Sequence, residues 1–510
     1  MSKQLDILFV NTNSAKEIYQ DLSNEHSAIE VPFWSLLLAQ SCRSKGFSVG
    51  ILDTEAERLT DEQSLERIKN ANPRLVCFVT YSQNPNGGTS QFGGVVRLGQ
   101  KLRETYPQFK TCSVGSHTSA LPREVLSYDF IDFVCINEGV YALHSLLATD
   151  LKTDLHKVKA LGYKDSGNPI LNDAQNSLVP NDRMDIDLPG YAWDLLPKRE
   201  KFLDLYRAHN WHVNFNYKDR TPFASIYTSL GCSFRCNFCL INILNRTNTE
   251  DRIVSSDSNI MRFWSPEFIA NQIGFLVENG VKHIRLLDEM FFLNKKYYEP
   301  LLKLIVERGY EINSWAYARI NTVKEEYLDL FKRAGINWLA LGIEAANQRV
   351  RQEITKGFFK DIDIRDVVSK IRTHDINVIG NYIYGFQSED ETNLQETYDL
   401  SVELNTEMVN KYTCMALPGS PLYYEAKDKG YELPQKYEDW SFYGYGCTPL
   451  PTQHLSPKQV LNFRDKAWYN YMTRPEYLAI IERKFGLVAR QNIEEMSKIR
   501  LRRKLLGDNL

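Results

Sequence analysis

The chain has 510 residues, 43% hydrophobic and 25% charged, with a formal net charge of -3. That length exceeds what one hydrophobic core supports, so two or three domains are expected, and no low-complexity tract argues for disorder. The near-neutral charge excludes a global electrostatic footprint for nucleic acid, and nine scattered cysteines, an odd number, disfavour a disulfide framework.

The first 150 residues alternate short apolar strands with helical stretches: DILFVN, a helix near Trp34 to Lys45, FSVGILD, RLVCFVTY, FKTCSVG and FVCINEG. This rhythm predicts an α/β domain with a doubly wound parallel sheet. Such sheets take ligands at the carboxyl ends of their strands, here the loops beginning at Asn11, Asp53, Tyr81, Gly115 and Asn137. The opening MSKQLDILFVNTNS lacks the basic segment and long apolar stretch of a secretory signal, and the apolar run near Trp34 to Gln40 is too short to span a bilayer. A cytoplasmic protein without a transmembrane segment is expected.

Residues 151–222 break into polar, Pro/Gly-containing stretches and read as an ordered linker. A second alternating series fills residues 223–425, with ASIYTSL, HIRLLDE, INSWAYAR, WLALGIE, VIGNYIYG and VNKYTCMA as strands. Six strands in βα register predict a partial (β/α)6 barrel. Residues 426–510 are rich in Tyr, Trp and Pro, end in a charged helix near Ile493 to Leu506, and are expected to form a small cap. The basic tail KIRLRRKLL reads as a solvated amphipathic helix.

The barrel segment opens with SLGCSFRCNFCLIN, which places Cys232, Cys236 and Cys239 on one loop directly after a strand. Thiolates suit iron-sulfur clusters, and three of them can hold three irons of a four-iron cluster while leaving the fourth open to chemistry. The alternative is a structural zinc, which wants four ligands; no fourth Cys or His lies within forty residues downstream, although His212 lies upstream.

With this loop, and Phe238 before its last cysteine, the chain resembles the radical S-adenosylmethionine superfamily. The resemblance implies a four-iron, four-sulfur cluster on the three cysteines, S-adenosylmethionine chelated at the open iron, and cleavage to a 5'-deoxyadenosyl radical. It also implies cofactor contacts from the strand ends: Asp288, Glu289, Arg319, Glu344, and the segment from Gly380 to Gly385, with Arg262 ranked below them. SVGSHTSALPREVL and DFVCINEG extend the resemblance to the cobalamin-binding branch, including its class B methylases. The first 150 residues are then a Rossmann-like cobalamin-binding domain, with Gly115, Ser116, His117, Glu138 and Gly139 near the nucleotide and Tyr81, Ser82 and Gln83 nearest the cobalt. The Asp-x-His-x-x-Gly motif is absent, so cobalamin is expected without a histidine lower ligand.

Two such cofactors in one chain imply methylation of an unactivated carbon of a small molecule by way of methylcobalamin, with a donor such as flavodoxin or ferredoxin supplying electrons. The alternatives are a non-methylating radical rearrangement and a non-catalytic cobalamin or redox sensor. Cys414, Tyr443, Tyr445 and Cys447 are candidates to line the substrate space.

Overall fold

The computed structural model describes residues 4–81, 84–252, 255, 258–355 and 362–509. Ser82 and Gln83, expected near the cobalt, lie outside the described residues.

The N-terminal sheet comprises β1 (Ile7–Asn11), β2 (Val49–Asp53), β3 (Leu75–Thr80), β4 (Lys110–Gly115), β5 (Phe133–Cys135), β6 (Leu161–Asp165) and β7 (Asn168–Leu171). Their order is β2-β1-β3-β4-β5-β6-β7. The first five are parallel. They are near-continuous apolar runs because helices cover both faces of the sheet. Strand order reverses between β1 and β3, which is the topological switch point of the sheet.

The predicted linker is more than a linker. Its β6 and β7 add antiparallel strands to the edge of this sheet, so the sheet runs past residue 150. Short, polar and lacking a long apolar run, these two strands gave no periodic signal.

The second half carries β8 (Phe223–Ile226), β9 (Ser229–Gly231), β10 (Met261–Phe263), β11 (His283–Leu286), β12 (Asn313–Arg319), β13 (Ile336–Glu344), β14 (Asn377–Tyr384) and β15 (Met408–Thr413). Six of them form an all-parallel half-barrel in the order β8-β11-β12-β13-β14-β15, as expected, while β9 and β10 pair antiparallel beside its rim.

Helices Pro457–Met472, Pro475–Phe485 and Leu487–Lys498 close the outer side. The last helix ends at Lys498, short of the expected Leu506. The basic tail is anchored at one residue, Arg503, which is fully buried, paired with Asp465 at 2.9 Å and donating to the Gly444 carbonyl, while Lys498, Arg500, Arg502 and Lys504 are exposed. The helix Phe33–Ser44 is buried over most of its length, as expected of a core helix. Among the described residues no helix is long and apolar enough to cross a membrane.

Buried polar contacts join the halves. Glu138, after β5, pairs with Arg262 of β10 at 2.7 Å. Glu30, ahead of the helix Phe33–Ser44, pairs with Arg285 of β11.

Candidate cofactor site

The cysteine loop is built by local constraints. Gly231 sits at φ +89°, and a Cβ there would lie 2.1 Å from the Ile260 carbonyl oxygen, so β9 can turn into the loop only with glycine. Asn242 then brackets Cys232, accepting from its N–H and donating to its carbonyl, both at 2.8 Å. From the other half, Asn86 on the loop after β3 accepts the Leu240 N–H at 3.0 Å and brings its Nδ2 to 3.9 Å from the Cys239 sulfur. Sequence reasoning missed both asparagines. Asn242, three residues past the last cysteine, had a signal, since short amides bind nearby backbone; Asn86, 153 residues from Cys239, had none.

Burial pushes the thiol of Cys232 up to about 12 and that of Cys236 to about 11, and raises Cys239 well above the usual thiol range. Thiols held protonated this strongly need a cation to ionise them. Among the described residues no group of three His, Cys, Asp or Glu side chains is disposed around one metal ion. A tetrahedral zinc does not fit. Three thiolates on one loop suit three irons of a four-iron cluster and leave the fourth iron open. His212 is no fourth ligand, since its Nε2 is bound 2.9 Å from the Asn313 carbonyl at the opposite end of the half-barrel.

The strand ends facing this loop differ among themselves. Asp288 accepts from the Thr228 N–H at 2.9 Å, the Thr228 hydroxyl at 2.8 Å and the Ser229 hydroxyl. It pins the start of the cysteine loop, and burial, opposed by these bonds, raises it to about 6. Glu289 has no such set: its Oε1 is buried with no hydrogen-bond partner among the described residues, and burial pushes the carboxyl up to about 8. Arg319, ending β12, lays its guanidinium 4.2 Å over the Phe234 ring of the loop. Glu344, ending β13, holds φ +63°. Its Oε1 occupies space 2.7 Å from where a Cβ on Gly342 would stand, and burial, opposed by Arg319, raises it to about 7. Cysteine thiols, Arg319, Glu289 and Glu344 thus share one partly charged rim, where each carboxyl is poorly matched until a cation arrives.

Three expected contacts are used otherwise. A Cβ on Gly380 would meet the Tyr382 ring at 2.8 Å and the Thr406 hydroxyl at 3.2 Å. Gly385 adopts φ +97° against Val460 and gives its N–H to Glu389. Arg262 is spent on Glu138, the Val179 carbonyl at 2.8 Å and Asn245 at 2.9 Å.

At the carboxyl edge of the first sheet most expected contacts are satisfied internally. Glu138 and Arg262 neutralise each other, and Glu138 also accepts the Val179 N–H. Ser116 donates to the Pro85 carbonyl at 2.6 Å. His117 is buried between Phe92 and Tyr437, its Nδ1 3.2 Å from the Thr89 hydroxyl and its Nε2 3.4 Å from Glu124. A Cβ on Gly115 would meet the Thr80 carbonyl oxygen at 2.3 Å, and one on Gly139 the Val114 side chain at 2.7 Å. Tyr81 stacks on Trp34 at 4.5 Å and donates to the Asn137 carbonyl at 2.8 Å.

Among the described residues, a cavity of about 50 Å³ lies at the switch point of this edge, lined by Asn11, Tyr19, Glu30, Trp34, Glu55 and Tyr81. The edge fits a ligand that enters at the switch point, and burial raises Glu55 there to about 8. Glu30 behaves oppositely: burial raises it, but Arg285, His209 and Ser225 more than reverse this and hold it at about 2. Tyr443 does not line this cavity but packs behind it, its ring 5.5 Å from that of Tyr19. Tyr445 instead donates to the Asp508 carbonyl, and Cys414 and Cys447 are packed in the core.

Residues 226–401 match the family model of the radical SAM superfamily, and residues 25–147 that of the B12 binding domain. An uncharacterized methyltransferase of Pyrococcus horikoshii, PH0819, is 26% identical over 84% of this chain and 85% of its own. The anaerobic magnesium-protoporphyrin IX monomethyl ester cyclase of Synechocystis is 23% identical over 67% of this chain, which spans 62% of that protein. Among solved structures, the radical S-adenosylmethionine methyltransferase TsrM of Kitasatospora setae, with cobalamin and an iron-sulfur cluster bound, superposes with a TM-score of 0.66 at 14% identity, covering 97% of this chain and 99% of that one.

Proposed function

We propose that this chain, which carries a B12 binding domain ahead of a radical SAM domain, methylates an unactivated carbon of a small molecule. The observation that carries the reading is the contact of Asn86 with the cysteine loop, which closes the B12-binding edge and the cluster loop around one shared space. Cys232, Cys236 and Cys239 would hold the cluster; Glu289, Arg319 and Glu344 would meet S-adenosylmethionine, whose positive charge the two raised carboxyls await. When bound, these groups supply radical hydrogen abstraction and cobalamin-dependent methyl transfer. The protein's own part is to exclude water and orient the substrate, with Glu30 and Tyr19 bordering the switch-point cavity and Arg285 fixing Glu30 from the half-barrel. Cobalamin would be held without a histidine lower ligand, since the Asp-x-His-x-x-Gly motif is absent and His117 is packed between Phe92 and Tyr437.

Nine free cysteines suit a reducing cytosol, where flavodoxin or ferredoxin delivers the electrons. The test is anaerobic reconstitution with iron, sulfide and hydroxocobalamin, followed by incubation with methyl-deuterated S-adenosylmethionine and a panel of small metabolites. Deuterium in a product, with S-adenosylhomocysteine and 5'-deoxyadenosine, supports methylation. A product lacking the label would favour the second reading, a radical rearrangement or cyclisation, to which the similarity to the cyclase lends weight. Cofactors bound without any turnover would leave a sensor.

A further inference from the structure

Asn86 belongs to the B12-binding half yet touches the cluster loop, and its amide has a fixed orientation. Its Oδ1 accepts the Leu240 N–H at 3.0 Å, which turns Nδ2 to the remaining neighbour, the sulfur of Cys239 at 3.9 Å. With a neutral thiol, that sulfur is also 3.9 Å from Oδ1 and can donate to it. An ionised sulfur has no proton to give and attracts the N–H, so cluster binding converts an ambivalent contact into an N–H donation.

The residue is anchored from the first sheet. Asn86 follows Pro85 in the short turn Pro85–Gly87; Ser116, at the end of β4, donates to the Pro85 carbonyl at 2.6 Å, and Asn84 accepts the Asn86 N–H at 3.0 Å. The same turn leads into the helix Gly88–Thr105, where a Cβ on Gly88 would lie 2.0 Å from the Ser116 hydroxyl oxygen. Little slack separates the edge of β4 from Asn86.

We propose that Asn86 is a positioning residue for the cluster: its side-chain amide donates to the Cys239 sulfur and raises the reduction potential, so that the B12-binding half helps set how readily the cluster accepts an electron. Hydrogen bonds to cluster sulfurs stabilise the more negative, reduced state. This rests on the proposed function only in requiring a cluster on the three cysteines.

The test is a dye-mediated redox titration followed by electron paramagnetic resonance on full-length protein reconstituted with iron and sulfide, with and without hydroxocobalamin. Asn86→Asp keeps the acceptor for the Leu240 N–H but removes the donor and adds a negative charge that lowers the potential on its own, so the neutral Asn86→Ala decides whether a shift comes from the lost N–H. The expected result is unchanged iron content with a more negative potential, about a tenfold loss of reduced cluster at a fixed poise, equivalent to about 59 mV for a one-electron couple. Asn86→Ala, which removes both bonds, shifts the potential in the same direction. An unchanged potential in an iron-loaded Asn86→Ala protein would overturn the proposal while leaving the cluster reading intact. Absence of iron from the parent protein would overturn both. If Asn86→Asp loads poorly, Asn86→Ser, which retains a short donor, separates the roles: a parent-like potential supports donation, and an alanine-like one overturns it.

Discussion

The two edges that face each other across this molecule were equally rich in sequence signals, and they meet their polar demands in opposite ways. At the edge of the first sheet, Ser116 is hydrogen-bonded inside the protein, Glu138 is paired with Arg262, His117 is bonded through one ring nitrogen, and glycines 115 and 139 are filled by their own neighbours. At the rim of the half-barrel, one buried and two half-buried thiols sit beside two raised carboxyls, and the Glu289 Oε1 has no hydrogen-bond partner among the described residues. A buried polar group that is satisfied stabilises the fold, whereas one that is not marks a place reserved for a ligand. The rim is therefore the more sharply defined site, and the sheet edge is chiefly a joint between the domains.

The largest effect expected from breaking this contrast is at the cysteines. Cys232→Ala/Cys236→Ala/Cys239→Ala should lose all cluster iron and all turnover while keeping bound cobalamin, as read by iron assay and the visible spectrum. Loss of both cofactors together would mean that the two edges are not separable.

The next effect lies in the joint. Glu138→Gln leaves Arg262 without its counter-charge in a site where both side chains are almost wholly buried, and should cost about 3–5 kcal/mol in denaturant unfolding. Glu138→Leu combined with Arg262→Met should recover much of this, because an apolar pair avoids desolvating two charges. Persistent instability of the double variant would instead place the stabilisation in the bonds of this pair to Val179 and Asn245.

Glu289→Gln acts on the rim alone. It should weaken S-adenosylmethionine binding by about 2 kcal/mol, roughly thirtyfold, in calorimetry. Its effect on the cofactor-free protein has the opposite sign. A carboxyl raised from an ordinary value near 4.5 to about 8 binds its proton more tightly when folded, so its contribution is complete below the unfolded value and is lost as pH rises through about 8. The variant lacks this loss and should outlast the parent in thermal melts above pH 8, with the gap closing toward pH 5.

Much of this was legible in the sequence, and the exceptions have physical reasons. Both parallel sheets announced themselves through runs such as LVCFVT and WLALGIE, because strands buried on two faces tolerate little else. The cysteine loop was legible because its chemistry is local, three ligands within eight residues. Asp288 and Glu289 are neighbours in sequence at the same strand end, yet one is a structural anchor and the other is unmatched, a distinction made by Thr228 and Ser229 some sixty residues earlier. Arg262 and Glu138 were read separately as cofactor contacts, since nothing in either motif reveals that they meet. Polar pairing across domains has no period, so position in the chain identifies the candidates and only packing shows which are already spoken for.

Tyr81 sharpens the contrast with the smallest expected effect. It directly follows β3, borders the switch-point cavity, and was read as one of the residues nearest the cobalt. Its ring is nevertheless 2% exposed, stacked on Trp34, and its hydroxyl is tied to the Asn137 carbonyl, which also accepts the Ser119 hydroxyl at 3.3 Å. Tyr81→Phe keeps the stacked ring and leaves that carbonyl with a second donor, so the cost should be about 0.5–1.5 kcal/mol, the net worth of one hydrogen bond. If the hydroxyl serves packing alone, the spectrum of bound cob(II)alamin should be the same in variant and parent. A shifted spectrum would mean that the tyrosine leaves Asn137 when the edge is occupied, which would make this strand end, like the rim opposite, a site rearranged by its ligand.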